Sequence, residues 1–348
     1  MNIHIHRWTK FAAAFLFLCI LLLSSCSRQT SGTDIILGTI VNIRIYGRMS
    51  QSKLDEALEA AMDRARNLEQ TFSVNIADSE LNYVNQNAFA SPVKVSDDLY
   101  TVLEKSLYYA NLTDGAFDPS LGRLIDLWGI GTDNARVPSA DEISPLTGQN
   151  NYTHVLLDEV NHTVAFTTDD FSLDLGAIVK GYAADEIKKL LVEDYHIKSA
   201  LINLGGNVIT IGSNPEGSDW TIGIANPSAP EDSSASAAIL TTTSQTLVTS
   251  GDYQRYFETS DGTRYHHILD GHTGYPADSG LTSVSIITDS SIDADALSTA
   301  VFVLGQEKGT ELIQSLDGVE AVFIDTSGSM TATDGLAGQL TPGTLPLN

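Results

Sequence analysis

The chain has 348 residues, 42% of them apolar and 18% charged, with 19 lysines and arginines against 44 aspartates and glutamates. That is the composition of a globular chain rather than a disordered one, and a net charge of −25 argues against nucleic acid and anionic lipid headgroups as partners. An anionic ligand must then be held by local backbone dipoles, a lysine or a bound cation.

The first residues, MNIHIHRWTK, carry Arg7 and Lys10 and no acid; FAAAFLFLCILLL follows as an apolar run, and SSC closes it. This is the order of a secretory signal peptide, here residues 1–25, and the run falls short of the roughly 20 residues of a membrane span. Leu23-Ser24-Ser25-Cys26 resembles a bacterial lipobox, in which the cysteine becomes the lipidated first residue. The expectation is a lipoprotein anchored to the cell membrane on its extracytoplasmic side; a plain signal peptide or an uncleaved anchor is the alternative. Cys19 leaves with the signal peptide, so one cysteine remains and lipid blocks it. Disulfides, thiol catalysis and Cys-ligated metals are thereby excluded. Without Arg7 and Lys10 the mature chain sets 17 basic residues against 44 acidic, near −27.

SRQTSGTD (residues 27–34) reads as a polar tether, so the lipidated tether spans 26–34 and one catalytic domain spans 35–348. IILGTIVNIRIYG alternates as a strand, with Val41, Ile43 and Ile45 on one face. SKLDEALEAAMDRARNLEQTF is the clearest amphipathic helix, and SDDLYTVLEKSLYYANLT is a second, with Ser96 as its N-cap. The runs HVLLD, TVAFT, FSLDL, ALINLG, VITIG, WTIGIAN, AILTTT, TLVTSG, TSVSIIT and AVFID are strand-like. YAADEIKKLLVEDY and ADALSTAVFVLGQEKGTELIQSL are helical, and residues 226–237, NPSAPEDSSASA, form an exposed loop. Strands come in runs instead of alternating with helices, which indicates an α+β fold with a largely antiparallel sheet.

Several stretches carry chemistry. In SLDLGAIVKGYAADEI a strand ends at Asp174, Gly176 and Gly181 bracket a turn, and a helix starts near Tyr182. Such a turn presents N–H groups to an anion, yet it matches neither standard nucleotide loop. Lys180 opposes the helix dipole unless it pairs with a phosphate or with Asp174; a surface lysine on a plain turn is the alternative. In SIDADALSTA a helix starting near Asp293 puts Asp295 and Thr299 on one face, a partial hard-oxygen site for Mg²⁺ or Ca²⁺. Capping and dipole interactions would equally explain those residues. His266, His267 and His272 cannot easily converge on zinc, since neighbours on a strand face opposite ways; one of them is better read as a proton acceptor or phosphate contact. NLGGNV, VTSGDYQRYFE and GAFDPSLGRLIDLWGIG add glycine turns where backbone can approach a ligand.

Six stretches in this order, GAFDPSLGRLIDLWG, LDLGAIVKGYAADEI, ALINLGGNV, TSGDYQRYF, HHILDGHTGYP and DADALSTAVFVLG, resemble the ApbE family of flavin transferases across roughly residues 35–325. The resemblance implies a T-fold-related α+β unit with largely antiparallel sheets. It also implies an FAD:protein FMN transferase that splits FAD, joins FMN by a phosphoester to a threonine of an exported or membrane redox protein, and releases AMP. Mg²⁺ or Mn²⁺ would be held by the Ala177 carbonyl, Asp295 and Thr299, with Ser298 as an extra contact. Flavin contacts would fall on Leu37, Ala116, Phe117, Asp118, Asp174, Lys180 and Leu269. The family's aromatic residue falls near Asn75, and Phe72 is the substitute platform for stacking; Gly271 stands where the family has proline. Lys180 would stabilise charge, and His267 or Asp174 would accept the threonine proton. An FAD pyrophosphatase and a non-catalytic FAD-binding lipoprotein are the rival readings.

Overall fold

Two residues with positive φ, Leu37 (55°) and Gly38 (66°), turn β1 (Arg28–Ile36) back into β2 (Thr39–Gly47). Positive φ at both central positions gives a tight turn matched to strand twist, so the alternation across residues 35–47 belongs to a hairpin and not to one strand. The computed structural model describes residues 27–148, 151–230, 232 and 235–348; the signal peptide and Cys26 lie outside them. β1 also absorbs the stretch expected as a tether. Arg28 through Asp34 pair with Gly47 through Val41, and Leu58 methyls close to 3.4 Å of where a Cβ would stand at Gly32. The polar composition of that segment reflects one solvent-facing side, and the strand is held by pairing.

Gln51–Phe72 (α1) buries Leu54, Ala57, Ala61, Ala65 and Leu68 along one stripe. Glu80–Asn87 (α2), Val93–Lys94 (β3) and Asp97–Leu112 (α3) follow, and Ser96 caps α3 as expected, its Oγ accepting from Leu99 N at 3.2 Å. Two short helices, Gly122–Trp128 (α4) and Ala140–Ile143 (α5), precede Val155–Asp158 (β4) and Thr163–Phe166 (β5). FSLDL, expected as a strand, makes only a bridge from Ser172 to Leu121. Asn85 of α2 takes the place of a neighbouring strand: its Nδ2 donates to Leu173 O at 2.9 Å and its Oδ1 accepts from Leu173 N at 2.8 Å.

Val179–Lys189 (α6) leads to Ser199–Leu204 (β6), Asn207–Ile211 (β7), Trp220–Ile224 (β8), Ala238–Thr242 (β9) and Thr246–Gly251 (β10). After the small hairpin Tyr256–Glu258 (β11) and Arg264–His266 (β12) come Leu281–Thr288 (β13), Ser291–Gln314 (α7), Glu320–Asp325 (β14), Met330–Ala332 (β15) and Leu340–Pro342 (β16). Eight strands form one antiparallel sheet in the order β1-β2-β6-β7-β10-β13-β14-β15. Helices α1, α6 and α7 cover one face, where Val41, Ile43, Leu204, Ile209 and Ile286 meet Ala183, Leu297 and Val301. On the other face Leu247, Ile287, Val322 and Ile324 pack on Ile224 and Leu240 of the sheet β16-β9-β8. β13 is therefore buried on both sides, which explains its run of apolar and small residues. The architecture is α+β with antiparallel sheets, as the strand order in the sequence indicates.

Arg64 ties α1 to the rest. Its two Nη atoms donate to Asp98 at 2.8 and 2.6 Å, one of them also to Glu186 at 2.6 Å, and Tyr182 Oη donates to the same Asp98 at 2.6 Å. Burial alone would raise the Asp98 carboxyl; the guanidinium and the phenol outweigh it and hold the group below its ordinary range. With side chains still 22–25% exposed, Arg64→Ala is expected to cost about 2 kcal/mol, less than a fully buried pair, read as a lower urea midpoint. The Asp98 share is present above the unfolded carboxylate pKa and lost as pH falls through the lowered folded value. The gap between variant and wild type therefore narrows in acid.

Candidate active site

The site is built where α6 crosses α7. A Cβ at Gly181 would stand 2.1 Å from Ser291 O and 2.8 Å from Asp295 Cβ, so only glycine lets the two helices approach this closely. Neither Gly176 nor Gly181 is among the glycines with positive φ; Gly181 serves helix contact, not turn geometry. The crossing is locked by Asp185, whose carboxylate accepts from Ser291 N (3.0 Å) and Ile292 N (2.9 Å). Helix α7 accordingly starts at Ser291, two residues before the expected Asp293, which instead receives Lys105 Nζ at 2.9 Å. It also breaks at Gly305 (φ 79°, ψ 175°), inside what the sequence presents as one continuous helix.

Asp295 is 2% exposed. Its Oδ2 accepts from Gly181 N at 2.9 Å and lies 3.2 Å from Lys180 Nζ, which is 3.1 Å from Oδ1. Because Gly181 N–H turns to this carboxylate, it does not close the helical bond to the Ala177 carbonyl. Lys180 Nζ also donates to Gly176 O at 2.8 Å. Its partner is thus Asp295, although Asp174 lies within electrostatic reach. Ser298, fully buried, donates to Asp295 O at 2.9 Å and shares a hydrogen bond with Ser250 Oγ at 2.8 Å. Thr299 is half-buried one turn beyond Asp295. A carboxylate, a hydroxyl and a backbone carbonyl are hard oxygen donors that fit Mg²⁺ rather than zinc. No group of three or more His, Cys, Asp or Glu side chains converges among the described residues, so backbone and hydroxyl oxygens would have to complete any cation site here.

A second group faces this crossing. Asp174 accepts from Gly176 N at 2.8 Å; burial raises its carboxyl and Asp126 adds to that, against Lys180 and Arg255. Arg255 Nη2 donates to Gly38 O at 2.7 Å, pinning the β1–β2 turn, while its own carbonyl accepts from His267 N (3.0 Å) and lies 3.2 Å from His267 Nδ1. A carbonyl only accepts, so Nδ1 carries the proton and Nε2 keeps its lone pair. Burial, then the charge of Arg255, push the imidazole down to about 3, and His267 is neutral at pH 7. His266 points elsewhere, its Nε2 3.1 Å from Ala277 O against the edge of Phe302, and His272 is exposed beside Asp270. The three histidines do not converge, as the strand alternation requires.

The remaining candidates divide. Leu37 sits on the hairpin turn with its N–H donated to Glu69 Oε1 at 2.7 Å, a non-glycine residue in the left-handed region. Asp118 is half-buried, its carboxyl raised by burial and opposed by Ser120. Ala116, Phe117 and Leu269 are buried; Phe117 N is already donated to Thr113 Oγ1 at 3.0 Å. Phe72 is withdrawn as a stacking platform. It is 3% exposed and meets Tyr182 edge-on at 5.9 Å inside the core, because it closes the apolar stripe of α1. Asn75 is exposed, with its N–H on Ser73 Oγ. Gly271 O accepts from Gly148 N at 3.1 Å. Two further residues touch this group without any local signal in their stretch TSGDYQRYF: Arg255, through Gly38 and His267, and Ser250, through Ser298.

An antiparallel α+β fold thus brings a buried carboxylate, a lysine and a neutral imidazole beside glycine turns. A model of the ApbE family matches residues 37–323, and the chain belongs to that family. It is 37% identical to the FAD:protein FMN transferase of Treponema pallidum over 89% of this chain and 88% of that one, and 36% identical to one from Klebsiella pneumoniae over 86% and 90%. Among solved structures it resembles the ApbE protein of Thermotoga maritima (TM-score 0.79, 33% identity, 90% of this chain and 99% of that one). It also resembles the flavin transferase ApbE of Vibrio cholerae (0.77, 26%, 88% and 97%).

Proposed function

We propose that this protein is an FAD:protein FMN transferase, acting on FAD and on a threonine of an exported or membrane redox protein. The observation that carries the reading is the α6–α7 crossing, where Lys180 Nζ and Gly181 N meet the buried Asp295 carboxylate in a strongly acidic chain; Asp295, the Ala177 carbonyl and Thr299 are the oxygens the reading assigns to a cation. Those residues would hold Mg²⁺, or Mn²⁺, which supplies charge neutralisation to the diphosphate. Lys180 adds a positive charge at the same place, and Asp174 and the Leu37 turn orient the flavin end. The threonine Oγ attacks the FMN phosphorus as the bond to the AMP oxygen breaks; AMP leaves, and the threonine proton passes to a base. Positioning and charge stabilisation supply most of the rate in such a transfer.

His267 has the tautomer for the base role, with Nε2 open. The negative charge of a bound diphosphate would raise its low pKa. His267→Asn is expected to lower the transfer rate about a hundredfold while FAD affinity changes little; an unaltered rate and pH profile would rule out the role. Incubation with FAD, Mg²⁺ and threonine-containing client peptides, read by intact mass, tests the whole reading. A peptide gaining one FMN supports it. Free FMN and AMP with unmodified peptide identify a pyrophosphatase instead, and uncleaved bound FAD identifies a carrier.

The anchor belongs to the same proposal. The signal-peptide pattern and the lipobox-like Cys26 support attachment on the extracytoplasmic side. With β1 starting at Arg28, little slack separates that cysteine from the sheet. The nine-residue arms of the hairpin then set the Leu37 turn about 30 Å from the anchored end, at roughly 3.3 Å per residue. Release of the protein into detergent, and its loss from membranes in Cys26→Ser, check this.

A further inference from the structure

We propose that Asn207 is a further FAD-binding residue of this site, its side-chain amide donating to a diphosphate oxygen. The assignment rests on the transferase reading and deepens it. Asn207 is 1% exposed, and its Nδ2 has no acceptor; it is the one nitrogen among four buried side-chain polar atoms without a partner among the described residues. A buried donor left unpaired is costly, and native proteins keep few of them.

Register shows where the amide lies. Asn207 pairs with Val248 across β7 and β10, and cross-strand partners share a face. Ser250, two residues beyond Val248, is on that face too, and its hydroxyl touches Ser298 of α7 at 2.8 Å. Asn207 therefore sits under the helices, at the end of β7 next to the Gly205–Gly206 turn, on the side of the sheet that carries Asp295, Ser298 and Lys180. The N–H takes none of the acceptors nearby, and an anionic ligand oxygen is complementary to it. Apolar packing does not explain it, since a leucine of similar size would fill the same place without the buried polar group.

Two variants test the assignment, with FAD, ADP and riboflavin as probes in Mg²⁺ and without client. Asn207→Leu removes the donor while keeping volume; Asn207→Asp keeps the shape and puts a carboxylate where the amide was. The expected result is a tenfold or greater loss of affinity for both FAD and ADP in each variant, riboflavin binding within twofold of wild type, and a melting temperature of the ligand-free Leu variant at or above wild type. The larger loss is expected for Asp. Unchanged FAD and ADP binding overturns the assignment, as does an equal loss for all three probes. Loss for FAD and riboflavin but not ADP overturns it as well, by moving the amide to the flavin ring. A wild type that binds neither FAD nor ADP overturns the transferase reading together with this assignment, whereas normal wild-type binding with silent variants removes Asn207 alone.

Discussion

Asp295→Ala should lower FMN transfer by about 10²–10³-fold, and raising magnesium should not restore it. The side chain is nearly inaccessible, yet both its oxygens are committed to cations or donors: Gly181 N–H on one and the Lys180 ammonium against both. Truncation removes the carboxylate that Lys180 pairs with at the α6–α7 crossing, and on the proposed reading an acidic protein then loses its local means of holding a diphosphate. Packing loss is separated from cation loss by Asp295→Asn, which still accepts from Gly181 N–H but carries no charge. The Asn variant should melt near wild type and be as inactive as the Ala variant. Wild-type activity of Asp295→Ala across a magnesium titration would remove the cation from the account.

The elements set by local rules were legible in the sequence. Helix α1 follows from its stripe of Leu and Ala, α3 from Ser96, and the placement of Asp295 and Thr299 one turn apart on one helix from helical spacing alone. What the sequence hid is decided by contacts between distant residues. FSLDL alternates like a strand, but Asn85 occupies its backbone groups and no strand pairs with it. SRQTSGTD looks like a linker because β1 spends its exposed face on polar residues, and only pairing with β2 makes it a strand. The start of α7 carries a local cap, Ser290, whose Oγ accepts from Asp293 N, but it is also fixed by Asp185, over a hundred residues earlier in the chain, which no local rule finds. The site shows the same division. Lys180 stood out by opposing the helix dipole, whereas its true partner comes from another helix. Phe72 lies near Asn75 in the sequence, but the periodicity that defines α1 places its ring in the core.

Gly181→Ala carries the second large effect, because one methyl group reaches both the fold and the site. The added Cβ would lie 2.1 Å from Ser291 O and 2.6 Å from its carbonyl carbon, backbone atoms that cannot swing aside as a flexible side chain does. Helices α6 and α7 must separate, and this strains the two bonds from the start of α7 to Asp185 and the bond from Gly181 N to Asp295. Overpacking of this kind costs about 3 kcal/mol, enough to lower the melting temperature of a chain this size by roughly 5 °C. Activity should fall further than stability explains: a shift of about 1 Å at the Asp295 carboxylate suffices for roughly a hundredfold loss of transfer in protein that is still folded. Assaying Gly181→Ala well below its melting point separates the two effects. Full activity there, with the melting temperature lowered, would show that the crossing supports the fold but does not set the geometry of the site.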